Sequence, residues 1–196
     1  MAQGQILSCL IRAYDITNDI KYLESGYKAL QFMISPGDED IFNGCSKKLY
    51  DLCKNSNELK EYVNYRIFEE YVSQPSSYVL NGDLMALIGL YDWWQGAPVM
   101  YGKDDAKLAF EDGVKSVEII LPYYDYYGWS SYDLVQYTYD SRPFFTSAYA
   151  YDCHICFFNA IWYISHSEII KKYRDIFLSY NNDDFWRQTS VLFKEN

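Results

Sequence analysis

The chain has 196 residues, 49% of them hydrophobic and 22% charged, with a net charge of −10 at pH 7. That length suits one domain with a real core, and that balance belongs to globular rather than disordered or fibrous chains. The acidic excess shows no basic stripe for nucleic acid, and no apolar run reaches the roughly 18 residues that cross a bilayer, so neither partner is expected.

Apolar residues recur at helical spacing in Ile6, Leu7, Leu10, Ile11 and Tyr14, which predicts a first helix. After the break Thr17-Asn18-Asp19, the run Tyr22, Leu23, Tyr27, Leu30 and Met33 predicts a second, ended by Ser35-Pro36-Gly37. The two form an αα-hairpin. Its spacing returns in Leu84, Leu87, Ile88, Tyr91 and Asp92, an offset of 77 residues from Tyr14 to Tyr91. Glu24-Ser25-Gly26-Tyr27-Lys28 is likewise echoed by Glu111-Asp112-Gly113-Val114-Lys115. A third pair is expected at residues 155–165 and 167–180, with a short last helix near residues 184–193. Helix pairs bury little alone and must stack on neighbours. The expected fold is therefore mainly α: an α/α toroid, or incomplete α/α barrel, of repeated helix hairpins. The tyrosine-rich stretches 62–72 and 123–139 carry strand formers and are expected as one or two β-hairpin insertions or extended loops where the pairs join. Loops at one end of such an array are the first places to look for function.

Twenty-two tyrosines, five tryptophans and eleven phenylalanines make 19% of the chain aromatic. Such rings suit sugars, yet composition alone favours packing. Five cysteines at irregular spacing predict reduced thiols rather than a disulfide framework. Cys153-His154-x-Cys156 has no second cluster to complete a tetrahedral site, so it is read as neighbours on an apolar helix. No metal and no cofactor are expected.

The string Glu69-Glu70-Tyr71-Val72-Ser73-Gln74-Pro75-Ser76-Ser77-Tyr78-Val79-Leu80-Asn81-Gly82, followed by Leu87-Ile88-Gly89-Leu90-Tyr91-Asp92, resembles the D-glucuronyl C5-epimerase family. Leu121-Pro122-x-Tyr124-Asp125, Tyr132-Asp133-Leu134 and His154-Ile155 follow in the family's order. The resemblance covers nearly the whole chain and is to the family's helical C-terminal domain. It implies removal of the carbon 5 proton of glucuronic acid units in a polysaccharide and its return to the opposite face, giving iduronic acid. That chemistry needs acid/base groups on both faces of the ring and a stabiliser for enolate-like charge. The resemblance implies Tyr71 and Tyr132 as active-site tyrosines with Glu70 beside them. Asn81, Tyr149, Tyr151 and His154 are the implied substrate-binding residues.

Two positions depart from the family: Val135 stands where it has an arginine, and Ala150 where it has a third tyrosine, which Tyr149 or Tyr151 would have to replace. The family's β-rich upstream domains are absent from this chain, so a homo-oligomer or a separate β-rich partner chain is expected to cover the surface they would pack on. Residues 1–5 lack a signal peptide's basic start, which leaves the compartment open. A second reading keeps the fold as a non-catalytic glycan-binding or assembly module. A third, a glycosidase or lyase, would need Glu70 and Asp133 as its carboxylate pair.

Overall fold

The structure, a computed structural model, describes residues 2–37, 43–54, 56–126 and 128–180, without the side chains of Ala148 and Tyr149. The helix expected near residues 184–193 lies outside them.

Three helix pairs are present as expected: α1 (Ala2–Thr17) with α2 (Lys21–Ile34), α4 (Leu80–Gly96) with α5 (Lys103–Ile120), and α7 (Ala148–Ser165) with α8 (Glu168–Leu178). Four-residue helices, α3 (Tyr50–Cys53) and α6 (Val135–Thr138), lie in the connections. Helix α7 begins well before residue 155 because the Ser147 hydroxyl accepts the Ala150 N–H as a cap. Ser167 does the same for α8 through Ile170 N–H.

The pairs stand side by side, with α4 in the middle, packed on α1, α5 and α7. Its position explains its sequence. Leu80, Leu84, Ala86, Leu87, Leu90 and Trp93 spread over about half of its circumference and are all buried. The outer helix α8 has a single apolar stripe, with Ile170 and Phe177 buried and Glu168 and Lys171 paired outside. Contacts on α4 depend on small residues. Gly26 of α2 lies against the Trp93 ring, 2.1 Å from where its Cβ would be, and Gly113 of α5 similarly admits Leu87 at 2.4 Å. The echoed glycines of the sequence thus both seat a side chain of α4, Gly113 within its own hairpin and Gly26 from the neighbouring one.

The tyrosine-rich stretches differ from the expectation in an instructive way. The first contributes one strand, β2 (Arg66–Phe68), whose antiparallel partner β1 (Ser46–Lys48) lies upstream of the stretch. The second does form a hairpin, β3 (Asp125–Tyr126) with β4 (Trp129–Ser130), but then turns into α6. No helix among the described residues is long and apolar enough to cross a membrane.

Candidate active site

The two tyrosine-rich segments are joined at the N-terminal end of α4. Leu80 N–H donates to the Tyr132 carbonyl at 3.2 Å, Leu134 N–H to the Ser77 carbonyl at 2.9 Å, and the Tyr124 hydroxyl to the Tyr78 carbonyl at 2.5 Å. Residues far apart in sequence are therefore held in register by main-chain bonds.

Buried carboxylates hold the segment that carries the motif. Glu69 accepts from Tyr78 N–H and the Ser77 hydroxyl, Asp83 from Phe68 N–H, and Asp51 from Ser76 N–H. Burial pushes Glu69 up to about 7 and Asp83 up to about 8, opposed in each case by the bonds from backbone N–H. Lys47, on β1, partly offsets the effect at Glu69 and reaches Gln74 at 3.4 Å.

A pH dependence follows. Both carboxyls are raised above their ordinary values of 4.5 and 3.8, so between about pH 4 and pH 8 the folded chain holds protons that the unfolded chain releases. Stability contributed by these groups is present at acidic pH and is lost as pH rises through that window. Asp83→Asn keeps an acceptor for Phe68 N–H and places a donor at Oδ2, which is buried without a partner. Urea unfolding at pH 5 and pH 8 is expected to show a drop on the order of a few kcal/mol for the natural chain and a clearly smaller drop for Asp83→Asn. Equal drops would refute this account of Asp83.

Glu69 and Glu70 follow the end of β2 and have different surroundings. Glu69 turns under the loop, whereas Glu70 turns toward the first turn of α4. Its Oε2 lies 2.7 Å and its Cβ 2.6 Å from where a Cβ on Gly82 would be, so Gly82 is what admits the carboxylate. Oε2 is buried and accepts no hydrogen bond from the described residues. It sits at the positive end of the α4 dipole, where a carboxylate is favoured. Asn81, in the same turn, is 5% exposed and its Oδ1 is also buried without a partner. Such atoms concentrate where a ligand completes the bonding.

Tyr71 follows Glu70 and is 58% exposed. Tyr132, half-buried, comes from the other segment. Its phenol is pushed well above the ordinary value of 10, first by burial, then by the charge of Glu70 and by the neighbouring Tyr71. Tyr132 is thus a neutral phenol at physiological pH. The structure brings Glu70, Tyr71, Tyr132 and Asn81 to one end of α4.

The α7 candidates are placed differently. The Tyr151 ring stacks on Trp129 at 4.7 Å and its hydroxyl donates to the Phe177 carbonyl, so ring and hydroxyl both have structural partners. His154 is fully buried, with neither ring nitrogen hydrogen-bonded, and burial pushes it down to about 3, so it is neutral. The side chain of Tyr149 is outside the described ones. Asp133 is buried, raised to about 6 by that burial, and accepts Val135 N–H at 3.4 Å. All five cysteines are free thiols, and no group of three metal-ligating side chains occurs among the described residues. Cys153 is half-buried and Cys156 exposed, on either side of the buried His154.

Sequence reading missed the supports of this site. Asp51, Asp83 and Lys47 lie outside any motif, and only Glu69 and Gly82 stand in the Glu-Glu-Tyr string, as its first and last residues.

The family model for the D-glucuronyl C5-epimerase C-terminus matches residues 1–179. The chain is 31% identical over 189 residues to the D-glucuronyl C5-epimerase of Caenorhabditis elegans, covering 92% of this chain and 28% of that protein. It is also 31% identical over 134 residues to an uncharacterized protein of Methanocaldococcus jannaschii, covering 68% of this chain and 38% of the relative. The chain spans well under half the length of either curated relative. With matches of this extent, the chain belongs to the D-glucuronyl C5-epimerase C-terminal family.

Proposed function

We propose that the site at the N-terminal end of α4 inverts carbon 5 of D-glucuronic acid units in a polysaccharide. The observation that carries the reading is the meeting of Tyr132, tied to the start of α4 through its carbonyl, with Glu70, whose unpartnered Oε2 lies at Gly82 of the same turn and whose charge raises the Tyr132 phenol. Tyr132, held neutral, gives a proton to carbon 5 from one face. Tyr71 passes its hydroxyl proton to the Glu70 carboxylate and, as the phenolate so formed, takes the carbon 5 proton from the other face; Tyr132 is left as a phenolate, and Glu70 and Tyr132 are reset by proton exchange with solvent. For this the sugar enters between the two phenols. The Asn81 amide N–H and the first-turn N–H groups of α4 beyond Leu80, whose own N–H is held by Tyr132, stabilise the enolate-like charge that develops on the uronate. The hairpin array, one helical unit from α1 to α8, forms the arc of an α/α toroid with this site at its loop end, and β-rich partner surfaces or a second copy complete the cleft.

The test is exchange with solvent. The purified chain, alone and with a candidate β-rich partner, is expected to incorporate deuterium at carbon 5 of a glucuronic acid polymer in deuterated water. No incorporation in either case refutes catalysis. Val135 at the family's arginine position and Ala150 at its third tyrosine favour the second reading, a glycan-binding module. Oligosaccharide affinity without exchange selects it.

Gly82→Ala probes the placement of Glu70. In a helix the change alone gains up to about 1 kcal/mol. Here the added methyl meets Glu70 Cβ at 2.6 Å, an atom fixed to the backbone, so the carboxylate must move. Deuterium incorporation is expected to fall at least about tenfold, as displacement of a positioned group does. Natural activity in Gly82→Ala would show that this carboxylate position is not needed.

A further inference from the structure

Beside Tyr132 lies a ring that the proposed chemistry leaves unused. Residues 144–146 run along residues 130–132: Tyr132 N–H donates to the Phe144 carbonyl at 2.7 Å, Ser131 hydroxyl to the same oxygen at 3.3 Å, and Thr146 N–H to the Ser130 carbonyl at 3.0 Å. Along this fixed segment, Phe145 packs on Tyr126 with ring centres 5.3 Å apart, and Thr146 is fully buried. Phe144 is 59% exposed, and its ring meets the Tyr132 ring edge-on at 5.5 Å. A single exposed phenylalanine is ordinary, but this one continues a patch. Tyr71, also exposed, is near enough to Tyr132 to raise its phenol, and Tyr132 touches Phe144, so three aromatic residues stand at the end of α4 that carries the unpartnered Glu70 Oε2 and Asn81 Oδ1.

Charge indicates what covers that ring. The chain carries −10 and has valine where a cation is expected, so the field opposes added anionic groups. An aromatic face holds the apolar face of a pyranose without any cation. We propose that Phe144 is the stacking platform of a neighbouring-sugar subsite, taking the unsulfated pyranose next to the reacting uronate. The ligand of this site is then an unsulfated oligosaccharide rather than a free uronic acid. The inference rests on the reading of Tyr71 and Tyr132 given above.

The experiment measures calorimetric affinity and carbon 5 exchange for the full chain, Phe144→Ala and Phe144→Trp. The probes are free glucuronic acid, an unsulfated tetrasaccharide alternating glucuronic acid with N-acetylglucosamine, and its sulfated counterpart. For the natural chain the unsulfated tetrasaccharide is expected to bind at least about tenfold tighter than the other two. Phe144→Ala is expected to lose about tenfold toward the tetrasaccharide, seen in KM more than in kcat, and Phe144→Trp to restore it. A phenylalanine that merely supports Tyr132 would lower kcat instead, and that outcome overturns the proposal. It is also overturned if Phe144→Ala binds the tetrasaccharide like the natural chain, or if the sulfated probe binds tighter. In those cases exchange by the natural chain leaves the epimerase reading standing. A natural chain that neither binds nor exchanges any probe sinks both.

Discussion

Tyr132→Phe is expected to lower carbon 5 exchange by about 10²–10⁴-fold, the range for loss of a positioned general acid. The substitution removes one oxygen and leaves the ring, so the edge contact with Phe144 and the main-chain bonds to Leu80 and Phe144 remain. Thermal unfolding should therefore move little, and loss of exchange would report chemistry. Tyr71→Phe should cause a comparable loss, because the hydroxyls are assigned to opposite faces of one sugar. The double variant should be no worse than about the poorer single one, since groups acting in one step are not additive. If Tyr132→Phe keeps more than about a tenth of natural exchange, a loss below the range for general acids, the phenol is not the proton donor. The tyrosines would then be packing residues of an unusually aromatic chain.

How far the sequence discloses this depends on what holds each part. The helix pairs are legible because their cores are local: Leu7 and Ile11, or Leu84 and Leu87, sit on one face by spacing alone. The start of α7 is missed although Ser147 carries the capping signal, because the apolar pattern becomes regular only further on. The β1–β2 pairing is not legible. Three-residue strands show no period, and Lys47 and Lys48 do not read as strand, so long-range contacts decide. The site divides the same way. Glu70, Tyr71 and Asn81 stand in one motif string, whereas their meeting with Tyr132 depends on the bond from Leu80 N–H to the Tyr132 carbonyl, which no composition encodes. Asp51, Glu69 and Asp83 read as surface charges by type. They are buried because the loop between β2 and α4 offers backbone N–H groups and no regular structure to receive them.

The middle helix also sets the largest expected effect on stability. A Cβ on Gly89 would lie 2.2 Å from the Gly4 carbonyl oxygen and 2.4 Å from Gly4 Cα, and one on Gly4 would lie 2.6 Å from the Met85 carbonyl oxygen. Helices α1 and α4 therefore meet backbone to backbone, and Gly96 extends the contact by admitting Ile11 at 2.4 Å. None of these atoms is the far end of a flexible side chain, except at Ile11. In Gly89→Ala, helix propensity favours the variant by about 1 kcal/mol, but α1 must lift away, and the seam around Leu7, Ile11 and Leu84 opens. The void wins: a net loss of about 2–4 kcal/mol and a melting temperature lower by about 5–15 °C are expected for a chain of this size. Gly128→Ala supplies the contrast, since that residue has φ +91° with nothing within 4 Å, so it loses only the backbone strain of about 1–2 kcal/mol. Should Gly89→Ala melt at or above the natural chain, the close approach of α1 and α4 is wrong. Should it melt lower and also lose exchange, α1 is fixing the position of the α4 end that carries Glu70 and Asn81, and the glycine seam becomes part of how the site is held.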